Sequence, residues 1–98
     1  MPFAHSPVNF EAFDLDIITE KPGVYGIADA KLKMVYVGQA KNLKQRLKEH
    51  YSDEKDCIWK HAPKKFYAEI VEDGEDSRRK REAELIAEYD PPCNKTKS

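Results

Sequence analysis

Two phenols, a guanidinium, an imidazole and a carboxylate occur in this chain at spacings that suit chemistry on a phosphate. Tyr25 closes the run Gly23-Val24-Tyr25, and Tyr36 opens Tyr36-Val37-Gly38. Each run joins a β-branched residue, a phenol and a glycine, which favours a strand whose backbone something can approach closely. Lys41, Lys44, Arg46 and Lys48 follow within eight residues. A guanidinium presents a rigid fork of donors that matches phosphate oxygens. His50 lies one helical turn beyond Arg46, so the two share a helix face. Glu82 comes from far along the chain. A single carboxylate beside an arginine and phenols suits a Mg²⁺-type ion that keeps most of its waters and meets a phosphate oxygen.

These groups need elements to hold them. Pro22-Gly23 opens a strand expected at about Val24–Ala28, a turn spans Asp29–Lys33, and a second strand follows at about Met34–Val37, forming an antiparallel hairpin. Asn42 is a good N-cap for a helix over Asn42–Tyr51, with Leu43, Leu47 and Tyr51 on one buried face. Cys57–His61 reads as a short helical turn ended by Pro63, and Lys65–Val71 as a third strand closed by Glu72-Asp73-Gly74. Asp76 or Ser77 is expected to cap the last helix, which must stop near Tyr89, ahead of Pro91-Pro92. On that helix Leu85, Ile86 and Tyr89 form a packing stripe with Glu82 at its edge, while Glu84 and Glu88 face solvent. The expected fold class is α+β: a small three-stranded, mainly antiparallel sheet flanked by helices in the order β-β-α-(α)-β-α. Residues 1–21 read as an N-terminal extension whose Phe10, Phe13, Leu15, Ile17 and Ile18 pack on a domain spanning 22–98.

Composition bounds the function. A chain of 98 residues makes one domain that buries somewhat over ~60% of its unfolded surface, enough for a modest core. No apolar run is long enough to span a membrane and no signal peptide opens the chain, so a cytoplasmic protein is expected. In that compartment Cys57 and Cys93 are expected to be free thiols. Cys57 and His61, four apart, offer too few ligands for a structural zinc site. The net charge of −1 hides an asymmetry: Lys41 to Lys65 holds eight basic residues against four acidic ones. A second knot, Arg78-Arg79-Lys80-Arg81, precedes Glu82. Local patches of this kind bind polyanions even on a neutral chain, although solvated helix faces look the same from charge alone. Trp59, Phe66 and Tyr67 read as core or edge packing, with base stacking the lesser option.

The aromatic runs, the spaced arginine, the late glutamate and the terminal asparagine resemble the GIY-YIG nuclease superfamily. The resemblance covers roughly residues 22–95. The stretch from Tyr36 to Arg46 is similar to that of the bacterial excision-repair nuclease subunit, as is Glu82-Ala83-Glu84-Leu85-Ile86 followed by Tyr89, Pro91 and Asn94. It implies a DNA endonuclease with one Mg²⁺ or Mn²⁺ ion held chiefly by Glu82. It further implies that Arg46 binds the scissile phosphate and that Tyr25 and Tyr36 position the attacking water, one of them deprotonating it. His50 matches a histidine of the homing-endonuclease branch and would carry a proton or contact phosphate. Asn94 would orient the metal-binding end of the site, and Gly38 would form a close-packed wall against the nucleic acid. Lys41, Lys44, Lys48, Arg78 and Arg79 are the remaining candidate DNA contacts. Val24 and Val37 replace the isoleucines of the family name. Gln39 stands where repair-type members often carry lysine. Branched or damaged DNA are the candidate substrates, with a targeting protein or a second copy of the chain as further partners. The competing class is a nucleic-acid-binding accessory module with the same fold and little turnover. A carboxylate inside a polyanion site favours the nuclease, because without a metal its charge would repel the ligand.

Overall fold

The computed structural model describes residues 3, 7–11 and 15–95. Its elements are strands β1 (Val8–Asn9), β2 (Gly23–Ala28) and β3 (Met34–Ala40), helix α1 (Leu43–Ser52), a 3-10 turn (Cys57–His61), strand β4 (Lys65–Ile70) and helices α2 (Glu75–Tyr89) and α3 (Pro92–Lys95). The strands form one antiparallel sheet in the order β1-β4-β2-β3. The α+β class and the β2–β3 hairpin stand as expected. The N-terminal segment contributes a fourth strand, pairing Val8 with Phe66 and Asn9 with Lys65. A two-residue strand carries no periodicity, so it could not be read from sequence.

The central strand β2 is buried along its whole length. It therefore feeds a core on each face of the sheet. On one face Tyr25, Ile27 and Phe66 pack with Leu43 and Leu47 of α1, Ile58 of the 3-10 turn, and Phe10 and Leu15 from the N-terminal segment. On the other, Val24, Ala28, Met34 and Val37 meet Leu85 of α2 and Phe3. Ile18 packs on the first cluster, whereas Ile17 is 73% exposed and does not join the core. Phe13 lies outside the described residues.

Two local expectations change. Neither Asp76 nor Ser77 caps α2. Its N-cap is Gly74, with φ 122°, and no side chain caps the helix. That backbone conformation is one that glycine alone takes without strain, and Glu75 and Asp76 in the first turn offset the exposed amide dipoles instead. The C-terminal stop is as expected, with Asp90 in the left-handed conformation before Pro91. The second change is larger. Cys57 and Cys93 are joined by a disulfide, with Cα atoms 5.8 Å apart. The expectation of free thiols rested on compartment alone, and packing of the 3-10 turn against α3 overrides it. No described helix is long and apolar enough to cross a membrane.

Candidate active site

β3 is the sheet's edge, and its register sets Gly38 opposite Tyr25 and Tyr36 opposite Ile27. Side chains alternate along a strand, so Tyr25, Tyr36 and Gly38 share the face covered by α1. The Tyr25 ring crosses over Gly38: a Cβ there would stand 2.5 Å from the phenol oxygen and 2.7 Å from Cζ. Glycine at this position is what gives the phenol room beside β3.

α1 brings its polar residues to the same place. Asn42 caps it as expected, Oδ1 accepting from the Gln45 N–H at 3.0 Å. With Leu43 and Leu47 buried, the helix phase turns His50 inward and leaves Arg46 half exposed. His50 is 4% exposed. Its Nε2 lies 2.7 Å from the Tyr25 hydroxyl, and its Nδ1 lies 2.6 Å from Oδ2 of Asp56. The rings of Tyr36 and His50 are 5.1 Å apart and those of Tyr25 and Tyr36 are 6.1 Å apart. Arg46 donates to Glu49 at 3.0 Å and borders a shallow cavity of about 210 Å³ that Gln39, Lys41 and Gln45 also line.

The carboxylate arrives from the opposite side of the sheet. Two arginines of the basic knot fix α2: Arg78 Nε donates to Gln39 Oε1 of β3 at 3.1 Å, and Arg81 grips both oxygens of Glu69 on β4 at 2.8 and 3.0 Å. Glu82, next along the helix, is half buried, and it makes no salt bridge among the described residues. Its charge is felt at Tyr25. Asn94 binds β3 from outside, its Oδ1 accepting from the Val37 N–H and its Nδ2 donating to the Val37 carbonyl, both at 2.8 Å. Its amide therefore braces the strand between Tyr36 and Gly38.

Burial sets the ionisation of these groups. The Tyr25 hydroxyl is pushed far above the ordinary phenol range, mainly by burial and then by Tyr36, with Arg46 opposing. His50 is lowered, because burial outweighs the carboxylate of Asp56. Glu82 is raised by burial, with Arg79 opposing. A half-buried carboxyl that resists ionising for want of a cation is a donor suited to a divalent ion.

The sequence profile of the GIY-YIG catalytic domain matches residues 21–97. The chain belongs to the GIY-YIG family. UvrABC system protein C of Clostridium novyi is 37% identical over 86 residues, covering 84% of this chain and 14% of that protein. Its counterpart in Nitrosococcus oceani is 50% identical over 48 residues, covering 48% of this chain and 8% of its own. The chain thus spans a small fraction of the length of these curated relatives. The fold is similar to the GIY-YIG N-terminal endonuclease domain of UvrC from Thermotoga maritima bound to magnesium, its catalytic divalent cation, with TM-score 0.71, 25% identity, and coverage of 84% of this chain and 92% of that one. A tyrosine-to-phenylalanine mutant of that domain, also with its catalytic divalent cation, gives TM-score 0.71 and 25% identity over 84% and 91%.

Within this GIY-YIG domain the sequence-expected residues fall into groups. Tyr25, Tyr36, Arg46 and His50 gather at one cleft, with Glu82 close enough to act on it electrostatically. Arg78 is 5% exposed and committed to Gln39. Arg79 pairs with Glu75 at 2.5 Å and Lys48 with Asp16 at 2.6 Å, both at the surface. Lys41 is exposed and Lys44 partly so. Trp59 is 37% exposed, packs on Phe10 and Tyr51, and donates to the His50 carbonyl. His61 lies within 4.8 Å of both disulfide sulfurs, which are bonded to each other and offer no thiolates. The residue that sequence reading missed is Asp56. An acidic residue ahead of a short helical turn signals only a cap, and Asp56 is one, accepting from the Ile58 N–H at 3.2 Å. Nothing in the sequence marks its second oxygen.

Proposed function

We propose that this domain is a divalent-metal-dependent endonuclease that hydrolyses DNA phosphodiester bonds, with branched or damaged DNA as its target. The observation that supports this reading is the gathering of Arg46 with a buried phenol–imidazole pair, with a half-buried, unbridged Glu82 within electrostatic reach of Tyr25. A site that only bound phosphate would gain nothing from an acidic group in its wall.

Arg46 binds the scissile phosphate and stabilises the charge that grows on it. Tyr25 and Tyr36 hold the attacking water by their hydroxyls. His50, buried behind Tyr25, acts as a proton acceptor rather than a phosphate contact. Glu82 holds Mg²⁺ or Mn²⁺; when bound, such an ion polarises a phosphoryl oxygen and screens developing charge. Gly38 keeps the wall low, and Asn94 holds β3 so that Tyr36 keeps its place. Lys41, Lys44, Lys48 and Arg79 meet the DNA backbone at the rim, whereas Arg78 acts through Gln39 to position α2. A targeting protein or a second copy would supply the affinity that a nearly neutral chain lacks.

Purified protein with Mg²⁺ or Mn²⁺ is expected to nick plasmid or branched DNA, and Glu82→Ala and Arg46→Ala to abolish nicking. Unchanged cleavage in both variants would sink the assignment. Salt-sensitive DNA binding without any cleavage would identify an accessory module instead.

A further inference from the structure

We propose that Asp56 is a positioning residue for cleavage: it fixes His50 in the tautomer whose Nε2 accepts the phenol proton of Tyr25. The proposal rests on the endonuclease reading above and adds to it a residue outside the cleft.

Asp56 divides its two oxygens. Oδ1 accepts from the Ile58 N–H at 3.2 Å and starts the 3-10 turn, while Oδ2 lies 2.6 Å from His50 Nδ1. The contact is shielded, with the two side chains 18% and 4% exposed. A carboxylate can only accept, so Nδ1 carries the proton and donates. In the neutral ring Nε2 then has a free lone pair, and it faces the Tyr25 hydroxyl at 2.7 Å. The groups around His50 are Arg46 and Glu49 on its own helix, Tyr25 on β2, Tyr36 on β3 and Asp56 on the turn. Among the described residues Asp56 alone is bonded to Nδ1. The tautomer is therefore decided at one atom.

The arrangement explains how a buried phenol can serve a hydrolysis. As the water oxygen bonds to phosphorus, its proton passes to the Tyr25 oxygen while the phenol's own proton passes to His50 Nε2. The bond from phosphorus to the leaving ester oxygen breaks, and that oxygen takes a proton from solvent. The imidazolium, held by Asp56, returns its proton to solvent through Tyr25. One water and one diester give one phosphomonoester and one alcohol, and Tyr25 never has to exist as a phenolate. That matters here, because burial works against the phenolate.

Asp56→Asn tests the proposal without removing the cap, since asparagine is as good an N-cap as aspartate. With its carbonyl oxygen kept on the Ile58 N–H, the amide group turns its N–H toward Nδ1 and drives the ring proton to Nε2. Nitrogen-15 NMR of His50 is expected to show Nδ1–H in the wild type and Nε2–H in D56N. Single-turnover cleavage with Mg²⁺ is expected to fall by about 100-fold or more in D56N, with KM held within roughly twofold and thermal melting close to wild type. An Nε2–H tautomer in the wild type, or D56N cleaving at the wild-type rate, would overturn it. A wild-type protein that cuts no DNA overturns the endonuclease reading instead, and the tautomer spectra still decide the positioning by Asp56.

Discussion

Tyr25 lies under α1 and Glu82 stands on α2 across the sheet, close enough to act on each other electrostatically, and their surroundings differ in kind. Tyr25 is fully buried, uncharged and bonded to His50, which is bonded in turn to Asp56. Glu82 is half buried, unbridged among the described residues, and raised by desolvation. The proton-handling side is thus complete and rigid before any ligand arrives. The charge-handling side is left incomplete, as the proposed roles of metal and phosphate as its partners require. Satisfied buried polar chains hold one geometry, whereas an anion without a counter-ion is a standing demand for one.

The sharpest way to break this contrast is at Glu82. Glu82→Gln is expected to lower cleavage by about 10³-fold. It should also leave the metal-free protein at least as stable as wild type. The sign follows from the raised ionisation: the folded state disfavours the carboxylate, so at neutral pH the ionised group works against folding and a neutral amide does not. Mg²⁺ should raise the melting temperature of the wild type and not of the variant. A variant that keeps the Mg²⁺ response would place the metal elsewhere.

The next effect concerns the support behind both sides. The disulfide joins Cys57, which follows Asp56, to Cys93, which precedes Asn94, across 36 residues of sequence. Closing a loop of that length stabilises the fold by about 4 kcal/mol at most. Reduction, or Cys93→Ser, is expected to lower the urea midpoint. It should slow cleavage more than it weakens Mg²⁺ binding, since the turn carrying Asp56 is loosened while Arg78 and Arg81 still hold α2. Equal losses in both would erase the distinction between the two sides.

Smaller again is the difference between the phenols. Tyr25→Phe removes the donor facing His50 Nε2 and leaves that nitrogen buried and unbonded, a loss of about 1–3 kcal/mol. Tyr36 is only partly buried and, among the described residues, its hydroxyl has no bond to His50, so Tyr36→Phe should change stability by less than about 0.5 kcal/mol. Both variants should cleave slowly, and calorimetry separates them. Equal melting temperatures would mean that the Tyr25–His50 bond does not contribute to the fold.

Much of this design is legible in the sequence where local pattern and function coincide. The hairpin, the Asn42 cap, the Leu43/Leu47 stripe and the proline stop after Tyr89 are short-range signals, and each survives in the structure. What stayed hidden depends on long-range contact. Arg78 and Arg79 are neighbours with identical chemistry, yet one is buried on Gln39 and the other is at the surface with Glu75. Helix phase decides that, and a run of four basic residues does not display it. Asp56 looks like a cap until His50 is folded against it. The Cys57–Cys93 bridge appears only once α3 returns to the 3-10 turn. The charged side of the cleft is legible from residue types, whereas its buried side is decided by long-range packing.

The most graded test is pH. His50 titrates below its ordinary value of 6.5 in the folded chain. The unfolded chain therefore binds the proton first as pH falls. The stability that the neutral imidazole contributes is complete above pH 6.5 and is lost as pH drops through the folded value. Activity should follow the same sign, because an imidazolium cannot accept the Tyr25 proton. The kcat/KM profile is expected to show an acid limb below pH 6.5, and His50→Gln should lower the rate and remove that limb. Arg46 lowers the histidine further, while Glu49 and Asp56 raise it. A phosphate seated on Arg46 would cancel part of the arginine's effect, so the limb in kcat should lie at higher pH than the limb in kcat/KM. If the two limbs coincide, substrate charge is not felt at His50, and the two sides of the cleft work independently.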